Sequence, residues 1–249
     1  MISYGLSDKG RYRSENQDMF QTKETGQGIL AVVCDGMGGA AAGRLASEMA
    51  VSRFISYVSL EISAPDAMMI DDTLRLAAGA ANREIYHYAL NNEECAGMGT
   101  TLVGGLFRSD EATLVNVGDS RGYRIARDGI FQLTKDHSLV QRMVDSGQLT
   151  PSQARRHPRR NIITRAVGSE AFVTSDVFVV PVRQGDIFLL CSDGLTNAVE
   201  EPEIHRLVLS SDGPESACRA LVDAALANNA RDNITVVVID PAEGGGERG

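Results

Sequence analysis

The chain has 249 residues, 43% of them apolar, which is enough for one sizeable core and an enzyme-sized domain. Its 24 basic against 33 acidic residues leave a formal charge of −9, which excludes a broad basic face of the kind that holds nucleic acid. No apolar run reaches the roughly 18 residues of a spanning helix, and the opening MISYGLSDKGRYR lacks the apolar centre of a secretory signal, so the expectation is a cytoplasmic protein without membrane contact.

In chain order, the apolar patterning predicts a strand at 29–34, helices at 43–60 and 67–90, and strands at 100–107, 112–117 and 122–125. A helix at 139–146, strands at 177–180 and 187–191, helices at 202–210 and 215–228, and a strand at 234–239 follow. Strands therefore cluster rather than alternate with helices, and the Arg127-Asp128-Gly129 turn implies antiparallel pairing. The expected fold is α+β, a central antiparallel β-sandwich flanked by helix pairs. No Ser/Pro/Gly-rich linker or repeat divides the chain, so one catalytic domain is expected over 1–240, with a Gly-rich disordered tail at 241–249. Cys34, Cys95, Cys191 and Cys218 show no metal-binding spacing and read as small buried hydrophobes.

The chemistry is carried by acids at strand ends. The run Ile29-Leu30-Ala31-Val32-Val33-Cys34 passes straight into Asp35-Gly36-Met37-Gly38-Gly39, and Ile187-Phe188-Leu189-Leu190-Cys191 into Ser192-Asp193-Gly194. A lone Asp-Gly is usually a turn, but here both follow fully apolar strands, where a hairpin would show polar alternation. Asp119 follows another apolar run and Asp232 immediately precedes the last strand. In an antiparallel sheet the end of one strand lies beside the start of its neighbour, so the four acids are expected at one edge. Crowded carboxylates repel unless cations neutralise them, and an all-oxygen set suits hard ions such as Mn²⁺ or Mg²⁺. Two such ions could supply a hydroxide near neutral pH and clamp the oxygens of a phosphoryl group.

These segments, with Arg13-Ser14-Glu15-Asn16-Gln17-Asp18, Gly99-Thr100-Thr101, Asn116-Val117-Gly118-Asp119-Ser120-Arg121, Asp136-His137-Ser138 and Arg231-Asp232-Asn233-Ile234-Thr235, resemble the metal-dependent protein phosphatases of the PP2C type in their bacterial form. The resemblance implies hydrolysis of phosphoserine and phosphothreonine on proteins, opposing a serine/threonine kinase, by a monomer with two tightly bound Mn²⁺ or Mg²⁺ ions and a weaker third. It implies that Asp35 bridges two metals, that the Gly36 carbonyl ligates one, and that Asp193 and Asp232 complete the pair. Asp18 would act through metal-held water, Asp119 would serve the third metal together with Asp193, and Arg13 would bind the phosphate.

Two departures follow from the same resemblance. Many relatives carry a histidine at the position of Met37 or Ala40, which leaves the general acid unassigned here; His137 is the tempting substitute, although a structural role suits it better. Gln17 stands where some relatives have glutamate, which would weaken metal affinity. A catalytically silent binding module and a phosphatase of small metabolites are the alternative readings. The resemblance also makes 148–165 a variable flap beside the cleft, in which Arg155, Arg156, Arg159, Arg160 and Arg165 form either a solvated charge run or a positive field for acidic phosphoproteins.

Overall fold

The computed structural model describes residues 1–241, except the side chains of Ala40 and Ala41, so the expected tail at 241–249 falls almost wholly outside the described residues. Its first half contains β1 (Ile2–Asp8), β2 (Asp18–Thr25), β3 (Gly28–Met37), α1 (Ala40–Glu61), α2 (Ile70–Asn91), a 3₁₀ turn at Glu93–Cys95, β4 (Gly99–Thr100) and β5 (Leu102–Phe107). Then come β6 (Glu111–Val117), β7 (Arg121–Ala126), β8 (Gly129–Gln132), α3 (Leu139–Asp145), α4 (Pro151–Arg155) and β9 (Asp176–Pro181). The last elements are β10 (Ile187–Cys191), α5 (Asp193–Thr196), α6 (Glu201–Leu209), α7 (Pro214–Ala227) and β11 (Ile234–Asp240).

The strands form two sheets, in the orders β1-β11-β10-β7-β8 and β2-β3-β5-β6-β9, with β4 paired to β3. The β10–β11 and β2–β3 ladders are antiparallel, as the strand clustering implied. Side-chain alternation then assigns two apolar faces to each central strand. In β3, Ile29, Ala31 and Val33 meet Phe188, Leu190, Val237 and Ile239 of the other sheet. Leu30, Val32 and Cys34 on the opposite face meet Ala46, Ala50, Phe54 and Val58 of α1. Leu189 and Val238 similarly pack under Ile204 of α6 and Leu221 of α7. Strands covered on both faces read as uninterrupted apolar runs, and each large side chain buried this way stabilises the fold by about 1.5–3 kcal/mol.

Three strands, β1, β2 and β8, escape the apolar pattern. All three are edge strands: in β1 Gly5 faces Phe20 while Tyr4 and Leu6 pack on the opposite side, so small and polar residues break the apolar run, and in β2 Gln21, Lys23 and Glu24 are exposed. The predicted strand 100–107 also divides. Thr100 turns aside to exchange main-chain hydrogen bonds with Val167 at 2.9 and 2.8 Å, whereas the Thr101 N–H donates to the Asp35 carbonyl at 2.9 Å. No helix among the described residues is long and apolar enough to cross a membrane.

The same alternation builds the site. The inward positions that carry Val33, Val103, Leu114 and Val237 are followed two residues on by Asp35, or preceded by Thr101 and Thr235, or followed by Asn116. At one end of the sandwich the interior therefore changes from aliphatic to polar while the strand geometry stays the same.

Candidate metal centre

A cleft of about 430 Å³ opens at that polar end, and Asp35, Asp119, Asp193 and Asp232 all line it, together with Gly36 and Arg13. The strand-end logic accounts for the convergence: Cys191 pairs with Val236 across β10 and β11, so Asp193, just past the end of one strand, lies beside Asp232, just before the next. Asp18 lies behind the cleft. It is 4% exposed and sits directly opposite Asp35 in the β2–β3 register.

Glycine is required beside Asp35 by contact, since a Cβ on Gly36 would stand 2.0 Å from the Gly43 carbonyl oxygen in the first turns of α1. Gly194 has the same role next to Asp193, where a Cβ would come within 1.9 Å of the Asn233 carbonyl oxygen. Both Asp-Gly pairs thus mark close main-chain packing at strand ends, and neither is a hairpin turn.

A web of small polar side chains holds the acids. The Ser192 hydroxyl donates to Asp18 Oδ2 at 2.7 Å and accepts from the Thr235 N–H at 3.0 Å. Thr101 Oγ1 accepts from the Asp35 N–H at 2.9 Å, and Asn197 Nδ2 donates to Asp193 Oδ2 at 2.9 Å. Asn233 clasps the segment that carries Arg13: its side chain accepts from the Gln17 N–H at 2.9 Å and donates to the carbonyls of Lys9 and Glu15 at 2.8 and 3.0 Å. Arg13 in turn pairs with Asp232 Oδ2 at 2.7 Å, which raises the guanidinium pKa.

The electrostatics are those of a crowded anionic cluster. Burial pushes Asp18 up to about 6, and burial with the nearby Asp136 pushes Asp119 up to about 7. Asp35 and Asp193 are driven well above the ordinary carboxylate range, by burial first and then by the other acids of the cleft. Asp35, Asp119 and Asp193 keep a solvent-facing edge, but protein surrounds them at depth. Asp18 Oδ1 and Asp193 Oδ1 are buried and have no hydrogen-bond partner. Orphaned carboxylate oxygens at the back of an all-oxygen cleft fit a hard divalent cation, which would satisfy the acceptors and offset the repulsion. Among the described residues no three such side chains already close into a ligand cluster. The acids stand along the cleft walls, with Asp232 paired to Arg13.

His137 is not among the residues lining the cleft. It is buried, its Nδ1 accepts the Gly118 N–H at 3.1 Å, and its Nε2 lies 3.1 Å from Asp176 Oδ2, so the ring secures the turn before Asp119. Burial lowers its pKa and keeps it neutral. The neighbouring motif is explained by a second contact across the same turn, where Arg121 grips Asp136 through bonds of 2.9, 3.1 and 2.7 Å. Gln17 also has a reason to be an amide: its Nε2 donates to the Gly39 carbonyl at 2.8 Å, which a glutamate could not do. The sequence reading missed Asn161 and Ile163, which line the cleft from the 148–165 segment, and it gave Ser192 and Asn233 no role of their own.

Comparison with known proteins gives the family. A family profile described as protein phosphatase 2C matches residues 11–231. The serine/threonine phosphatase stp of Listeria innocua is 40% identical over 238 residues, covering 94% of this chain and 93% of that protein. The crystal structure of serine/threonine phosphatase Stp1 from Staphylococcus aureus superposes with a TM-score of 0.88 at 36% identity, over 96% of this chain and 94% of that one. The catalytic domain of the serine/threonine protein phosphatase PstP, solved with two manganese ions, gives 0.82 at 32% identity, over 95% and 96%. On this span and identity, with the acids gathered at the sandwich end, the chain belongs to the protein phosphatase 2C family.

Proposed function

We propose that the chain hydrolyses phosphoserine and phosphothreonine monoesters on proteins, in opposition to a serine/threonine kinase, with Mn²⁺ or Mg²⁺ held in the cleft. The observation that carries this reading is the concentration of buried, mutually repelling carboxylates with orphaned oxygens at one end of the sandwich. The manganese-bound PstP neighbour and the named phosphatase relatives support it.

Asp35, the Gly36 carbonyl, Asp193 and Asp232 would hold two ions, and Asp119 with Asp193 a weaker third. When bound, these ions would supply a nucleophile near neutral pH and offset the charge of the phosphoryl oxygens. The chain's own residues position and orient. Asp18, fixed by Ser192, backs Asp35 across the ladder, and the Thr101 hydroxyl holds the Asp35 main chain in place. Arg13, half exposed at the rim and clasped through Asn233, presents a permanently charged planar fork that can pair two phosphate oxygens. Among the described residues no histidine lines the cleft, so none is placed there to protonate the leaving alkoxide.

The direct test is phosphate release from phosphoserine, phosphothreonine and phosphotyrosine peptides and from nucleotides and sugar phosphates, with Mn²⁺ and with chelator. Turnover of the first two classes that chelator abolishes is the expected result. Turnover confined to small metabolites, or none at all, contradicts the proposal.

Arg13→Ala is expected to raise KM about tenfold or more and to weaken competitive inhibition by inorganic phosphate in parallel, while Mn²⁺ affinity holds. Undiminished phosphate inhibition would remove Arg13 from the phosphate site. Asp119→Ala is expected to leave tight metal binding intact, but to lower the rate and move the Mn²⁺ activation curve to higher concentration. An unchanged curve and rate would take Asp119 out of the mechanism.

A further inference from the structure

The arginine-rich segment beside the cleft divides into two functional sets, which its sequence alone presents as one. Residues 146–169 contain no Asp or Glu, although the chain has 33 in 249, so the positive charge of 155–165 is not locally balanced. Ordinary solvated charge runs interleave both signs.

Two of the five arginines are anchors. Arg155 pairs with Glu201 of α6 at 3.4 Å, and the same carboxylate oxygen accepts from the buried Tyr123 hydroxyl at 3.3 Å. Arg165 pairs with Asp176 at 3.0 Å, and Asp176 also holds His137. Main-chain bonds from Leu139 N–H to the Ile162 carbonyl at 2.8 Å and from Thr164 N–H to the His137 carbonyl at 2.7 Å fasten the stretch between. The segment is thereby fixed at both ends, and Asn161 and Ile163 form part of the cleft wall.

Arg156, Arg159 and Arg160 are the remainder. All three are exposed, and none has an ion-pair partner among the described residues. They precede Asn161 of the cleft wall by one to five positions, and the same lining includes Glu15 and the acids of the centre. An anionic substrate approaching that lining meets repulsion, and three guanidinium groups without ion-pair partners on the adjoining segment would oppose it.

We infer that Arg156, Arg159 and Arg160 select phosphoprotein substrates that carry acidic side chains near the phosphorylated residue, an inference that rests on the phosphoprotein reading above. Guanidinium forks match carboxylates, and a segment already anchored needs little further ordering on binding.

The experiment compares kcat/KM of the Mn²⁺-loaded protein on p-nitrophenyl phosphate, on a phosphothreonine peptide with neutral flanks, and on the same peptide with Asp and Glu flanks. At low ionic strength the parent is expected to favour the acidic peptide over the neutral one by about tenfold, and at about 0.5 M salt by less than about twofold. Joint Arg156→Gln, Arg159→Gln and Arg160→Gln replacement is expected to bring the low-salt ratio near one while p-nitrophenyl phosphate turnover stays at the parent rate. Joint Arg159→Glu and Arg160→Glu replacement is expected to shift preference toward Lys and Arg flanks. A parent ratio near one at low salt overturns the inference without reference to any variant, and so does a tenfold ratio that survives in a triple variant active on the small ester. Turnover of p-nitrophenyl phosphate with neither peptide cleaved overturns the phosphoprotein reading, and this inference with it.

Discussion

Asp35→Asn, Asp193→Asn and Asp232→Asn are each expected to lower kcat by about 10³-fold or more, because a cation's stabilisation of developing phosphoryl charge is worth several kcal/mol and each factor of ten is about 1.4 kcal/mol. The loss should not come from unfolding. Asp35 and Asp193 are carboxyls largely enclosed by protein whose charge the metal-free fold disfavours, so an isosteric amide removes a repulsive partner while leaving the strand and its glycine neighbour in place. Asp35→Asn should therefore melt no lower than the parent in chelator, and by a few degrees higher if the repulsion is relieved as drawn. Asp232→Asn carries an added consequence, since it removes the anionic partner of Arg13. Circular dichroism melts and phosphate-release kinetics on the same preparations check both halves, and a variant that retains kcat within about tenfold would remove that acid from the centre.

The second large effect is on stability against pH. Asp18, raised to about 6, and Asp119, raised to about 7, both titrate above their unfolded value of 3.8. Folding thus favours their protonated forms. Their contribution is fully present below about pH 4 and is lost as pH rises through 6 and 7. Asp35 and Asp193 shift in the same direction. His137, whose pKa is lowered, opposes this trend near neutrality, but it is one group against four; Asp145 and Asp176, also lowered, titrate below the window. In chelator, Tm should fall by about 5 °C or more between pH 5 and pH 7.5. Saturating Mn²⁺ should flatten or reverse that slope, because ions bound only by the folded form stabilise it and favour ionised ligands. A chelated protein that gains stability over this range would show that the acids are not crowded as described.

The parts of this molecule legible in its sequence are those where packing leaves a one-dimensional trace. Strands covered on both faces, such as β3 and β10, are unbroken apolar runs, and an acid-glycine pair directly after them stands out against that background. Antiparallel logic was then sufficient to bring Asp193 and Asp232 together. The edge strands β1 and β2 left no such trace, because small and polar residues interrupt their apolar positions, and with β2 went the pairing of Asp18 with Asp35. Roles defined by a single contact were equally hidden. Gln17 reads as a missing charge until its amide is seen to donate to Gly39, and His137 reads as a spare acid until Gly118 and Asp176 are found on its two nitrogens. Arg155 and Arg165 differ from the arginines between them only in what lies across from them in space.

The central claim is that the strand-end carboxylates hold divalent cations, and calorimetric titration of Mn²⁺ into the chelator-stripped protein at neutral pH tests it most directly. The account predicts two tight sites per chain and a weaker one that disappears in Asp119→Ala, with the tight pair lost or severely weakened in Asp35→Asn. Fewer than two tight sites in the parent, or two retained at parent affinity in Asp35→Asn, would contradict it.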